Sequence, residues 1–183
     1  MKLIVGLGNP EDEYKNTRHN AGAETVNALA LDLGGADFTF NKKFKAQIQE
    51  IELAGDKTIL VKPLTYMNNS GASVKALVDF YQLNPEEDVT IIYDDVDLPL
   101  GKYRSSGESA GGHKGMQSVI DHLSTSNLKR IRIGITPTGI IDDPSLVTLP
   151  TEEFVLKKFS KIEQKSLEKV ISNIVQELKQ GVA

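Results

Sequence analysis

The chain has 183 residues, 39% of them hydrophobic, so it is long enough to bury a sizeable core in one compact domain. It has no cysteine, which excludes a disulfide framework, a thiolate nucleophile and a thiolate metal site. Its apolar runs are far shorter than the roughly 20 residues that a membrane span needs, and its start lacks the h-region of a signal peptide. We therefore expect a cytoplasmic protein with no membrane partner.

The formal net charge of -4 is unevenly distributed. Residues 100–140 carry +4 and the remainder carries -8, because six basic residues in that stretch face only two acidic ones. The six are Lys102, Arg104, Lys114, Lys129, Arg130 and Arg132. Local charge of this kind favours a surface for a polyanion, although a solvated charged face explains it equally well.

Hydrophobic periodicity predicts alternating strands and helices. The last helix is the clearest, since Ser160 and Glu163 form a capping-box pattern ahead of an apolar stripe that starts at Leu167. In chain order, the pattern predicts a strand at 2–7, a helix around 26–33, a hairpin of strands at 47–53 and 57–62, a helix around 74–81, a strand at 88–95, a helix around 116–123, a strand at 129–135, a loop at 137–152 and the final helix.

This order predicts an α/β fold with a mixed, twisted sheet that is parallel in part and flanked by helices. We expect a single domain over residues 1–183. Open α/β sheets place their sites at strand ends and helix starts. If the strands are neighbours, five segments converge on one cleft and supply Asn9, His19, Met67 with Asn68, Asp94, and residues 111–113.

His19 is the candidate base in this cleft, and one of the nearby aspartates Asp94, Asp95 and Asp97 is its candidate partner. A histidine with a pKa near the reference value of about 6.5 accepts a proton from water at neutral pH. An aspartate on the other ring nitrogen fixes the tautomer and stabilises the imidazolium. Taken alone, a histidine before a helix is more often structural.

Asn9 and Asn68 favour the chemical interpretation. Each amide has two donors and an acceptor that match the C=O and N–H groups of a peptide, and a donor can also face the oxyanion formed when water adds to a carbonyl. Asparagine is also common in turns and at N-caps, so each residue alone has a structural explanation. Together, the histidine, the aspartate and the two amides favour acyl hydrolysis.

Other familiar motifs are incomplete. Residues 6–11 begin like a dinucleotide-binding loop, but Glu11 stands where the third glycine belongs. Residues 107–114 approach a phosphate loop, yet His113 takes the lysine position.

Seven short segments occur in the order and spacing of a known family, from the first strand to the start of the last helix. They read GLGNP (6–10), TRHNAG (17–22), PLTYMNNSG (63–71), YDDVDLP (93–99), SAGGHKG (109–115), RIRIGI (130–135) and FVLKKF (154–159). By these segments the chain resembles the bacterial-type peptidyl-tRNA hydrolases. Each segment alone is weak, but seven in register are highly specific.

The resemblance implies an enzyme that cleaves the ester joining a peptide to the 3′ ribose of tRNA and so recycles tRNA from stalled or abandoned translation. It implies a three-layer sandwich, active as a monomer without metal or cofactor. The partner would be peptidyl-tRNA, bound through its acceptor stem, 3′ CCA end and peptide. Acceptor-stem phosphates would meet the basic surface, giving salt-sensitive and largely sequence-independent affinity.

The resemblance also implies roles for individual residues. His19 matches the base that activates water, and Asp94 matches the carboxylate that orients it. The residues implied in substrate or tRNA binding are Asn9, Tyr14, Tyr66, Met67, Asn68, Lys102, Arg104, His113, Lys114 and Arg132.

Three positions differ from the family's usual pattern. Glu11 stands where glycine is common, which we expect to alter the loop after the first strand. Lys114 replaces an asparagine; it offers a cation to the oxyanion or to phosphate, but it cannot accept a hydrogen bond. Ser105 lies where a basic residue is common, and Arg104 or Lys102 can serve instead.

Two alternatives remain open. One is a noncatalytic RNA-binding member of the same fold, which the presence of both His19 and Asp94 disfavours. The other is a metal-dependent phosphotransferase or nuclease, because Asp94, Asp95 and Asp97 resemble a divalent-metal cluster. These aspartates have a structural explanation too, since they can stabilise the strand end and the loop after it.

Overall fold

A mixed sheet of seven strands forms the centre of the computed structural model, which describes residues 1–138 and 144–181. The strands lie side by side in the order β2-β3-β4-β1-β5-β7-β6. The pairs β1–β4, β1–β5 and β5–β7 are parallel, whereas β2–β3, β3–β4 and β6–β7 are antiparallel. The strands are β1 Lys2–Gly6, β2 Thr39–Asn41, β3 Ala46–Leu53, β4 Asp56–Pro63, β5 Val89–Pro99, β6 Tyr103–Arg104 and β7 Lys129–Thr136.

Helices cover both faces of this sheet. The α-helices are α1 Ala21–Asp32, α2 Ser70–Tyr81, α3 Pro85–Asp88, α4 Lys114–Leu123, α5 Thr151–Phe154 and α6 Lys161–Lys179. Short 3-10 helices lie at Asp12–Tyr14, Arg18–Asn20, Met67–Asn69 and Pro144–Thr148. Among these described helices, none combines the length and apolar character that a membrane span requires.

The two-residue period of the strands produces two separate cores. In β1, Leu3 and Val5 belong to the core beneath α2 and α4, while Ile4 belongs to the core beneath α1 and α6. Both faces of the central strands are therefore apolar, as expected for parallel strands covered on each side. The result is the three-layer α/β sandwich that the sequence predicts.

Glycine allows two helices to approach their neighbours closely. A Cβ on Gly22 of α1 would lie 2.1 Å from the carbonyl oxygen of Ile92 in β5. A Cβ on Gly71 of α2 would lie 2.0 Å from the carbonyl oxygen of Ser118 in α4. Both contacts are with backbone, so a side chain at either position would push two elements apart.

The predicted elements are found, with differences at the margins. The capping box is confirmed: Ser160 Oγ accepts from the Glu163 N–H, and Glu163 accepts from the Ser160 N–H. Strands β2 and β6 were not predicted, because one is largely exposed and the other has only two residues. Strand β5 continues to Pro99 through a register shift, so the predicted loop after Asp95 is instead irregular strand.

The predicted loop at 137–152 is only partly described. Residues 139–143 lie outside the described residues. In the described part, a 3-10 helix spans Pro144–Thr148 and α5 begins at Thr151, so this part of the loop prediction is wrong.

Candidate active site

A cavity of about 570 Å³ opens where the parallel strands end, a volume in the usual range for small-molecule sites. The five segments singled out in the sequence all line it, as the strand order requires. Nine of the predicted site residues are among the lining residues: Asn9, Tyr14, His19, Tyr66, Met67, Asn68, Asp94, His113 and Lys114. The predicted residues Lys102, Arg104 and Arg132 do not line it.

His19 lies in the 3-10 turn before α1, and that turn is attached to the segment ahead of α6. The His19 N–H donates to the carbonyl of Val155, and the Arg18 N–H donates to that of Lys157. Thr17 forms an isolated antiparallel bridge with Lys158. These backbone bonds fix where the imidazole enters the cavity.

Arg18 anchors the same attachment from inside the protein. Its side chain is fully buried, and its Nη2 lies 2.5 Å from Oε1 of Glu163. Its guanidinium carbon also lies 4.8 Å and 4.9 Å from the ring centroids of Phe154 and Phe159. Burial lowers the pKa of Arg18, and the charge of Glu163 opposes that shift. This role of Arg18 leaves no local signal in the sequence, because its partners lie about 140 positions along the chain.

His19 and Asp94 are in direct contact. Nδ1 of His19 lies 2.9 Å and 3.0 Å from the two carboxylate oxygens of Asp94. An ionised carboxylate only accepts, so Nδ1 carries the proton and Nε2 keeps its lone pair. Nε2 makes no hydrogen bond within the described residues, and the His19 side chain is 12% exposed in the cavity. This arrangement is the one a general base needs.

A second imidazole contacts the same carboxylate. Nε2 of His113 lies 2.9 Å from Oδ1 of Asp94, and its ring centroid lies 4.8 Å from that of His19. At the N-cap of α4, Nδ1 of His113 accepts the N–H of Met116 at 3.0 Å, so the proton of the neutral ring is on Nε2 and points at Asp94. The family resemblance implied only substrate binding for His113, so its pairing with Asp94 was not predicted.

The two imidazoles keep Asp94 ionised. Its side chain is 1% exposed, and burial by itself opposes the negative charge. The charges and hydrogen bonds of His19 and His113 outweigh burial and hold the pKa of Asp94 well below its usual range. Asp94 therefore stays an acceptor in both hydrogen bonds.

The three neighbouring aspartates do not form a metal cluster. Asp95 contacts Arg132 through one carboxylate oxygen and accepts the N–H of Asp97 on the other, while Asp97 is exposed. The groups close enough to share an ion are His19, Asp94 and His113. Their donor set fits poorly, because a metal on Nε2 of His113 would require a proton on the Nδ1 that already accepts from Met116.

Asn9 is held with its amide nitrogen free. Its Oδ1 accepts the N–H of Met67 at 2.9 Å, and Asn20 bonds both its N–H and its carbonyl. Nδ2 of Asn9 therefore remains available in the cavity, with no partner among the described residues. Asn68 is exposed in the 3-10 helix before α2, and its side chain also makes no hydrogen bond within the described residues. The clamping residue Asn20, part of TRHNAG, was not singled out by itself.

Tyr66 and Glu11 meet at one side of the opening. Tyr66 has a φ of 56°, which is uncommon for a residue with a side chain, and its hydroxyl donates to Glu11. That hydrogen bond raises the pKa of Tyr66. Tyr14 lies in the same region, where a hydrogen bond to Glu13 raises its pKa. The atypical Glu11 thus has a definite partner.

The basic stretch is less available than its charge suggests. Arg130 is buried and donates to the carbonyls of Ser109 and Ser126. Arg132 donates from Nε to Asp95 at 2.5 Å, so much of its charge is compensated. Lys102 and Arg104 are exposed and form no ion pair within the described residues.

The protein combines a mixed-sheet α/β fold with a cavity that contains a His–Asp pair and free amide groups. These features place it in the class of candidate acyl hydrolases. The sequence model of the peptidyl-tRNA hydrolase family matches residues 3–183. The chain therefore belongs to that family.

Named relatives agree over nearly the whole chain. It is 46% identical to "Peptidyl-tRNA hydrolase" of Exiguobacterium sibiricum, over 96% of this chain and 90% of that protein. It is 45% identical to the protein of the same name from Synechocystis sp., over 100% of this chain and 92% of that protein. A crystal structure of a mutant peptidyl-tRNA hydrolase from Acinetobacter baumannii superposes with a TM-score of 0.82 at 35% identity, covering 100% of this chain and 88% of that one.

Proposed function

We propose that this protein hydrolyses the ester between a peptide, or an N-blocked amino acid, and the 3′ ribose of tRNA. The observation that carries the proposal is the contact of His19 Nδ1 with Asp94, which leaves Nε2 free inside the cavity. Membership of the peptidyl-tRNA hydrolase family supplies the substrate class.

His19 acts as the general base. Its Nε2 removes a proton from water as the water oxygen bonds to the ester carbonyl carbon. The imidazolium, stabilised by Asp94, then returns that proton to the 3′ oxygen of the ribose as the carbon–oxygen bond breaks. The products are tRNA with a free hydroxyl and a peptide carboxylic acid, which ionises in solvent.

The amides bind the acyl part. Asn9 presents Nδ2 because its Oδ1 is occupied by Met67, and this donor can stabilise the oxyanion that forms on the carbonyl. Asn68 offers donors and an acceptor that match peptide groups without reading side chains. Met67 and Tyr66 line the same wall, and Tyr14 lies at the tRNA end.

The tRNA body contacts the exposed cations Lys102 and Arg104, with Arg132 behind them. Such contacts give affinity that falls with salt and depends little on sequence. We further propose that the chain forms one domain and acts as a cytoplasmic monomer, without a metal, a cofactor or a membrane partner. The poor fit of the His19, Asp94 and His113 donor set to a metal supports the metal-free reaction.

Release of intact tRNA from a labelled N-blocked aminoacyl-tRNA tests the proposal. Purified protein should release it with and without EDTA, whereas inhibition by EDTA would favour the metal-dependent alternative. His19→Ala should lower kcat by about 100- to 10,000-fold while tRNA binding persists. His122→Gln is the matched control, since this third histidine bonds the Ser118 carbonyl outside the cavity. Equal loss of binding and turnover in His19→Ala would contradict the assignment, and binding without any release would favour the noncatalytic alternative.

A further inference from the structure

An ion pair lies at the rim of the cavity. Nζ of Lys114 is 2.5 Å from Oε1 of Glu152, and both side chains line the cavity. Lys114 is the first residue of α4, and Glu152 lies in the first turn of α5, 38 positions later. The pair thus joins two elements whose relative position shapes the opening.

This pair is easily exchanged. The two side chains are 55% and 75% exposed, and Glu152 has no other partner within the described residues. The hydrogen bond and charge of Lys114 lower the pKa of Glu152, so the carboxylate is ionised at neutral pH. Exposed pairs of this kind contribute little to stability, because solvent screens both charges. A stronger or better placed anion can displace Glu152 at small cost.

The substrate brings such an anion to this position. Lys114 directly follows His113, whose ring centroid is 4.8 Å from that of His19. In an ester on the 3′ ribose, the nearest fixed negative charge is the phosphodiester on the 5′ side of the same nucleotide. An exposed ammonium at the rim suits that phosphate better than the oxyanion, which would form deeper, next to His19.

We propose that Lys114 is a specificity-determining residue that binds a phosphodiester of the single-stranded 3′ end of the substrate, and that Glu152 competes for its ammonium until the substrate displaces it. The inference rests on the proposed function. It assigns a definite partner to a lysine that stands where the family commonly has asparagine. It also predicts that removing an acidic rim residue improves substrate binding.

The test measures kcat and KM for the labelled N-blocked aminoacyl-tRNA at several salt concentrations. Lys114→Gln should raise KM by about two- to fivefold, and the slope of log KM against log salt should fall by about 0.7. Glu152→Gln should lower KM by about 1.5- to 5-fold, because the ammonium is released. In both variants kcat should change little, since neither group takes part in proton transfer.

The double variant separates competition from simple repulsion. If Glu152 acts only through Lys114, then Lys114→Gln with Glu152→Gln should match Lys114→Gln alone. An additive gain from Glu152→Gln in that background would mean that the carboxylate merely repels RNA, and would overturn the proposal. A higher KM in Glu152→Gln alone would also overturn it, because the Lys114–Glu152 ion pair would then aid substrate binding and not compete with it.

Asp79→Asn is the matched control. Asp79 forms a similarly exposed pair with Lys75 on α2, 2.8 Å apart and outside the cavity, so KM should not change. Failure of the proposed function is distinguishable, because the wild-type protein would then release no tRNA. Normal release by the wild type with unchanged KM in Lys114→Gln would overturn this inference alone.

Discussion

Asp94→Asn tests how the two histidines share one carboxylate. The ring of His113 is held as an Nε2–H donor because its Nδ1 accepts from Met116. The introduced amide therefore gives its oxygen to His113 and turns its NH2 group toward Nδ1 of His19. That nitrogen must then accept, so the proton of His19 moves to Nε2 and the lone pair that receives the proton from water is lost.

Asp94→Asn should therefore remove the part of the rate enhancement that the general base supplies. Such groups supply about 100- to 10,000-fold in rate, which is about 3–5 kcal/mol of transition-state stabilisation. We expect kcat for labelled N-blocked aminoacyl-tRNA to decrease by a factor in that range. KM should change by less than about threefold. Thermal unfolding should show that the variant is folded.

Asp97→Asn is the control from the same strand, because Asp97 is exposed and only its N–H contacts Asp95. It should retain nearly full activity. Comparable losses in Asp94→Asn and Asp97→Asn would point to metal ligation and refute the reasoning. A kcat for Asp94→Asn within tenfold or so of the wild type would show that the tautomer of His19 does not depend on Asp94.

Three further outcomes are expected. Arg18→Met should lower the free energy of unfolding by about 3–5 kcal/mol in urea titration, because Glu163 keeps a charge without its partner; a loss below about 1 kcal/mol, typical of an exposed pair, would contradict this. Lys102→Gln should reduce the slope of log binding constant against log salt concentration by about one phosphate contact. Arg132→Gln should chiefly destabilise the fold. Equal changes of that slope in the two variants would show that Arg132 is free to bind RNA. The depressed pKa of Asp94 stabilises the native state above the unfolded value of about 3.9, and this contribution is lost as pH falls through the lower folded pKa. The stability difference between wild type and Asp94→Asn should therefore shrink in acid, and a difference independent of pH would contradict the ionised assignment.

Features that depend on local pattern could be predicted from the amino-acid sequence. Alternation and helical spacing located the long strands and helices, because burial of one face imposes a period on the residues that form it. The capping box before α6 and the candidate base His19 were also readable, since both lie in short contiguous segments. Asp94 as the partner of His19 was implied by the family resemblance, because the strand pattern by itself left Asp94, Asp95 and Asp97 open.

The identity of groups that share a hydrogen-bond partner became visible in the folded structure alone. The pairing of His113 with Asp94 depends on the register of β5 and on the N-cap geometry of α4, and neither leaves a periodic signal in the sequence. Arg130 and Arg132 seemed equal members of a basic surface by charge, and they lie on the same face of β7. Arg130 is nevertheless buried and donates to the carbonyls of Ser109 and Ser126, whereas Arg132 contacts Asp95. Such contacts join residues far apart in the chain, so their energies depend on the packed fold and not on the neighbouring sequence.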